Sequence, residues 1–326
     1  MMDSKLEPTY DERELRDVYG QLLFELASKD KRVVVLNADL ARSDGTLKFK
    51  ELFPERFIDV GVAEANMMGI AAGLANVGLI PITHTFTPFS TRRAFDQITI
   101  SIAYADLPVK LMGTDPGVTA ELNGGTHMSF EDAGIMRTLP NFVIVEPADA
   151  IQFKSLFEQI IYHPKPVYTR VYRRRKERFF DEDMQFEIGK IATLKDGNDI
   201  TIICSGLMVG QSMIATRMLE ERGISVRLLN MHTLKPIDKE TIIKAARETG
   251  RIVVAENHSI INGWGSAVAE VLSENYPVPM RRIGVQDHFG EVGTTDFLLK
   301  KYHMTAQDIY EKAMELSNSK VQSCFH

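Results

Sequence analysis

A chain of 326 residues, 44% apolar and 25% charged, has material for two domains with full cores. Its formal charge of -6 excludes a generally basic surface that would coat nucleic acid or hug a membrane. Two cysteines, Cys204 and Cys324, supply neither a disulfide framework nor metal-ligand spacing, which suits a reducing cytoplasm.

In chain order, the N-terminus lacks a basic-then-apolar leader pattern, and no apolar run approaches the ~20 residues that cross a membrane. Thr9 to Glu12 ("TYDE") reads as a capping box, followed by Leu15, Val18, Tyr19, Leu22 and Leu26 at helical spacing. "RVVVLNADL" and "FIDVG" predict strands, "GVAEANMMGIAAGLANVG" a helix, "LIPITHTF" a strand and "STRRAFDQITISIAYA" a helix. "PVKLMG", "SFEDAGIMRTL", "FVIVEP", "DAIQFKSLFEQIIY" and "PVYTRVY" continue the alternation as strand, helix, strand, helix and strand. Such alternation implies crossover units and a parallel sheet covered on both faces.

Between about Arg173 and Asp199 the rhythm gives way to charge, as at a domain boundary. We expect a first domain over 1–185 and a second over 186–326. The second reads as strands "ITIICSG", "SVRLLN", "RIVVAEN" and "PMRRIGV", with helices over 208–222, 239–249, 265–275 and 305–316. The fold class is therefore α/β, with two doubly wound domains. The basic run "RVYRRRKER" is expected to be a solvated linker face rather than a nucleic-acid site. No strand is followed by a phosphate loop or a dinucleotide fingerprint, and "GDG" with a downstream Asn is missing.

Ligands of such sheets collect beyond the carboxyl ends of the strands, so the loops there carry the candidates. Glu64 sits in the first turn of an otherwise small and apolar helix. The helix dipole alone accounts for an acid there; equally, a carboxyl among Val62, Ala63, Ala65, Met67 and Met68 favours its protonated form and can share a proton with a ligand nitrogen. Phe86 and Phe89 sit where the strand "LIPITHTF" runs into a helix, either as core residues or as a platform for a flat heterocycle. His127 closes the glycine-rich loop Gly113–Asp132, where it either caps the next helix or moves protons near neutral pH. Arg170, Ser43 and Arg16 are candidates for gripping an anionic tail.

These residues and the segments "GVAEANMMGIAAGLA", "TFTPF", "GGTHMSFEDAGIMRTLPNFVIVEPAD", "TRVY", "MHTLKPID" and "VVAENHSIINGWGSAVAE" resemble the C-terminal half of a transketolase over nearly the whole chain. The resemblance implies a thiamine diphosphate pyrimidine-binding domain followed by the family's smaller closing domain. It implies that Glu64 hydrogen-bonds a ring nitrogen of the cofactor's aminopyrimidine, that Phe86 and Phe89 form the platform under it, and that Asp39 and Leu40 line the same pocket. His127 matches the histidine facing the substrate's reacting oxygens, and Arg16, Ser43 and Arg170 match its anion grip. Asn123 stands where the family usually has an aspartate that senses hydroxyl configuration, and Thr114 where a second histidine would fall.

The domain that binds the diphosphate and its Mg2+ or Ca2+ ion in full-length transketolases has no counterpart in this chain. The resemblance therefore implies a split enzyme, an α2β2 heterotetramer with an N-terminal partner subunit that acts on small sugars in the cytoplasm. Rival readings are the beta subunit of a 2-oxo acid dehydrogenase decarboxylase, a deoxyxylulose phosphate synthase-like fragment, and a non-catalytic interaction module.

Overall fold

The structure, a computed structural model, describes residues 8–318, so Cys324 lies outside the described range. Val33–Asn37, Ile80–Phe86, Lys110–Thr114 and Val167–Val171 are buried along nearly their whole length. Strands covered on both faces belong in the middle of a parallel sheet, and these four form the centre of a seven-stranded one. Phe57–Asp59 flanks Val33–Asn37 at one side; Val143–Val145 flanks Val167–Val171 at the other. From Val33–Asn37 the chain first adds Phe57–Asp59 on one side, then returns to add Ile80–Phe86 on the other. The direction of winding thus reverses between these neighbours, which opens a crevice at their carboxyl ends.

The second α/β unit is a five-stranded sheet with Ile200–Cys204 between Val226–Asn230 and Ile252–Ser259, and Met280–Val285 outside the latter. Ala192–Lys195 closes the opposite edge antiparallel. A short strand, Thr233–Lys235, leaves this unit and pairs antiparallel with Val143–Val145, so the second domain supplies the edge of the first domain's sheet. Among the described residues, no helix is long and apolar enough to cross a membrane.

Three local expectations are corrected. Thr9–Tyr10 is not a capping box but a strand paired with Glu177–Arg178. The first helix begins later, at Leu15–Lys29, and the backbone N–H of Glu14 donates to the Asp17 carboxylate at 3.2 Å. "STRRAFDQITISIAYA" is not one α-helix: a turn at Arg92–Ala94 precedes Phe95–Gln97 and a wide π-helical turn, Ile98–Ala103, in which the Tyr104 N–H bonds the Thr99 carbonyl at 2.9 Å. The basic run is not a solvated face. Arg170 and Arg173 are buried, and Arg175 and Arg178 are ion-paired with Glu177 and Glu182.

Candidate active site

The crevice collects most of the expected residues. Asp39 and Leu40 follow Val33–Asn37, Phe86 ends its neighbour, and Glu64 opens the helix Glu64–Asn76 that follows Phe57–Asp59. Asp59 ties these loops together, its Oδ1 accepting from the Asp39 N–H at 3.0 Å and the Gly61 N–H at 3.1 Å. The Asn37 carbonyl oxygen of the side chain accepts from the Leu40 N–H at 2.6 Å, while its amide donates to the buried Asp44 at 2.7 Å. Asp39, at φ 61°, is thus held in a left-handed conformation by backbone bonds on both sides.

Glu64 is only 3% exposed, because Met67, Met68, Ala71 and Ala72 carry its helix into the core. Its carboxylate nevertheless has a charge partner from another element. Arg93 Nη1 donates to both Glu64 oxygens at 2.9 Å, and Thr85 Oγ1 lies 3.5 Å away. The Arg93 guanidinium also stacks on Phe89, 3.7 Å from its ring centroid. His127 completes the group, its ring edge-on to Phe89 at 5.1 Å and to Phe86 at 5.5 Å. Its Nδ1 is 2.9 Å from Thr126 Oγ1, which leaves Nε2 for a ligand. Burial, then Arg93 and Arg92, pull the His127 pKa below the ordinary value, so the imidazole is neutral near pH 7.

Arg16 and Ser43 also meet, Arg16 Nη1 donating to the Ser43 carbonyl at 3.4 Å. Two glycines allow this approach. Gly45, at φ 88°, ends the short helix Ala41–Asp44, and a Cβ there would lie 2.4 Å from the Arg16 carbonyl. A Cβ on Gly20 would lie 2.6 Å from the Gly45 carbonyl.

Arg170 requires a correction. It is 0% exposed, and its guanidinium is engaged by Asp132, Glu146 and the Asn257 carbonyl, so it is closed off from a substrate. Burial opposes its charge, but Asp132 and Glu146 outweigh that and hold its pKa above the ordinary range. Tyr168 and Tyr172, on the same face of the strand, donate to the same two acids at 2.7 Å. Glu146 also accepts from Ser205 of the second domain at 2.5 Å, so this is an ionic core between the domains.

The arginine that does lie near the anion candidates is Arg173, three residues on. It lies 4.7 Å over the Phe86 ring, its Nε donates to Asp115 at 2.5 Å, and its carbonyl accepts from the Arg16 N–H at 3.0 Å. It also lines a cavity of about 410 Å³ between the domains, with Arg174, Thr295 and Leu299; neither Glu64 nor Phe89 faces that cavity. Asn123 is exposed at the end of the turn Gly117–Asn123.

Sequence reading missed both Arg93 and Arg173. Adjacent arginines in "STRRAF", just after the aromatic pair, were the only signal for the first. Among the described residues, no group of three or more His, Cys, Asp or Glu could hold a metal ion.

Comparison with known proteins decides the family. The transketolase pyrimidine-binding domain matches residues 11–176, and the transketolase C-terminal domain matches residues 189–309. This chain belongs to the transketolase family. It is 50% identical to the 6-deoxy-6-sulfo-D-fructose transketolase subunit SqwH of Clostridium sp. (strain MSTE9), over 98% of this chain and 99% of that protein. It is 39% identical to an apulose-4-phosphate transketolase subunit of Phocaeicola vulgatus, over 92% of this chain and 96% of that one. A solved structure described as a split gene transketolase, inactive beta4 tetramer, superposes with a TM-score of 0.85 at 43% identity, covering 93% of this chain and 98% of its own. Within the transketolase family, the chain thus corresponds to the C-terminal subunit of the split form.

Proposed function

We propose that this chain is the pyrimidine-face subunit of a thiamine diphosphate-dependent transketolase, with domains at 1–185 and 186–326, which passes a two-carbon ketol unit from an anionic ketose to an aldose. The observation that carries the reading is that the buried Glu64 carboxylate and the Phe89 ring both contact one flat, N–H-bearing group, the Arg93 guanidinium. The Arg93 guanidinium supports this reading, since it donates to the one and stacks on the other. An aminopyrimidine ring offers the same combination of plane and N–H donors.

Bound there, thiamine diphosphate supplies a thiazolium carbon nucleophile for the ketose carbonyl. Glu64 holds a shared proton at the aminopyrimidine nitrogen, and its burial keeps water from that bond. Phe86 and Phe89 offer apolar faces, and Asp39 and Leu40 form the neighbouring wall. His127 presents neutral Nε2 to the substrate's hydroxyl and carbonyl oxygens as a proton acceptor or donor. Arg16 and Ser43, joined by Arg173 in place of Arg170, hold the anionic end, with Asn123 at the rim.

The diphosphate and its Mg2+ or Ca2+ would be held by an N-terminal partner subunit in an α2β2 assembly. Val62, 74% exposed two residues before the buried Glu64, fits a surface covered by another chain. The 50% identity to a sulfofructose transketolase subunit favours a sulfonated ketose as donor over a phosphorylated one. A buried free thiol at Cys204 fits a cytoplasmic setting.

The test mixes the chain with a partner carrying the "GDG" diphosphate motif and supplies 6-deoxy-6-sulfo-D-fructose, or fructose 6-phosphate, with an aldose phosphate. Ketol transfer only when both chains are present is the expected result. Transfer by this chain alone, or acyl transfer from a 2-oxo acid to a lipoyl domain, would sink the reading.

A further inference from the structure

Glu64 and Phe89 are bridged by Arg93, which takes up the space between the carboxylate and the ring. One nitrogen of its guanidinium bonds both carboxylate oxygens at 2.9 Å, while the carbon at its centre lies 3.7 Å from the Phe89 centroid. The two contacts together place a flat cation between an acid and an aromatic face. A heterocycle that stacks on Phe89 and hydrogen-bonds Glu64 needs the same two groups, so it and the guanidinium exclude each other.

We propose that Arg93 is a displaceable plug, which stands in for the cofactor's ring while the site is unloaded and must swing out before that ring can enter. The inference rests on the thiamine diphosphate reading above. Two features make the exchange feasible. The Arg93 side chain is 42% exposed whereas that of Glu64 is 3% exposed, so the plug reaches in from the open side and leaves by rotating its own stem. It also springs from the short turn Arg92–Ala94, outside any long helix, so no core element moves with it.

The plug has a physical reason. A buried carboxylate without a partner is costly, and a half-exposed guanidinium compensates it until a ligand donor takes over. A deeper, better paired arginine would lock the site. The partial exposure weakens the ion pair and makes it exchangeable. Neighbouring Arg92 is engaged elsewhere, with Glu131 at 2.7 Å and the Thr126 carbonyl at 3.1 Å, so it does not duplicate the role. A plug scales apparent affinity by the fraction of time that the slot is free, about tenfold if the ion pair and its stacking contact keep it closed roughly nine-tenths of the time.

The experiment uses the assembly of this chain with its diphosphate-binding partner. Thiamine diphosphate affinity is measured by titration calorimetry and its on-rate by stopped-flow, for the wild type, Arg93→Met and Arg93→Lys. Arg93→Met should bind the cofactor faster and about tenfold tighter, while its unloaded form melts lower than the wild type, because Glu64 has lost its compensation. Arg93→Lys, which keeps the charge but not the planar stack, should fall between them and serves as the reference if the Met variant folds poorly. Unchanged or weaker binding in the Met variant, or in the Lys variant when it stands alone, overturns the proposal. A loaded complex whose Arg93 still covers Phe89 does so as well. If the wild-type assembly binds no thiamine diphosphate, the functional reading itself fails, and the plug with it.

Discussion

Replacing Arg170 by Met separates a substrate grip from an ionic core. Methionine retains an unbranched apolar stem and removes the guanidinium. The lost contacts are to Asp132 at 2.8 and 3.2 Å, to the Asn257 carbonyl at 2.9 Å, and to Glu146. Asp132 and Glu146 are both fully buried and would be left without their cation. Removing one partner of a buried pair costs about 3–5 kcal/mol, a large share of the ~5–15 kcal/mol that holds a typical protein folded. With a urea dependence of ~3 kcal/mol per M, the unfolding midpoint of the purified chain should fall by more than about 1 M. Urea titration followed by circular dichroism reads this directly. A variant with the wild-type midpoint but a raised KM for the anionic sugar would refute the structural assignment and restore Arg170 to the substrate.

Other outcomes follow from single features. Burial pulls the His232 pKa down to about 4, against an ordinary value of ~6.5, so the unfolded chain takes up the proton first. His232 therefore stabilises the fold fully above pH ~6.5, and as pH falls to about 4 that contribution is lost, by ~3 kcal/mol. In urea midpoints measured across this window, His232→Gln should flatten the decline; an identical slope contradicts the assignment. Phe89→Ala removes the stacking face and should weaken thiamine diphosphate binding by the assembly about fivefold or more, whereas unchanged calorimetric affinity would place the ring elsewhere. A Cβ on Gly125 would meet the Gly290 carbonyl at 2.2 Å, on the loop that carries His127. Gly125→Ala should destabilise by ~1–3 kcal/mol and lower kcat by displacing that histidine; unaltered kcat and melting temperature would show that the two loops yield freely.

The legible parts of this molecule were those encoded locally. Alternating apolar strands and helices announced both parallel sheets, and Glu64, Phe86, Phe89 and His127 stood out because each sits where a strand hands over to a loop or helix. Thr233–Lys235 escaped because its partner, Val143–Val145, is almost ninety residues away in sequence, and three residues carry no period. Arg93 escaped for the same reason, since its carboxylate and its aromatic ring belong to other elements. Arg170 misled because a charge at the end of a strand says nothing about which face it takes. Tyr168, Arg170 and Tyr172 alternate onto the face that meets the second domain, whereas Arg173, beyond the strand's last residue, turns toward Phe86. The "STRRAF" segment reads as helical by composition, yet its turn at Arg92–Ala94 is what delivers a guanidinium to Glu64.

The central claim, that Glu64 shares its proton with the cofactor's aminopyrimidine, is tested most directly by turnover of the reconstituted two-chain enzyme with Glu64→Gln, saturated with thiamine diphosphate. Loss of proton transfer at a positioned acid predicts a kcat for ketol transfer lower by about 10²–10⁴-fold. A variant that turns over at the wild-type rate would contradict it.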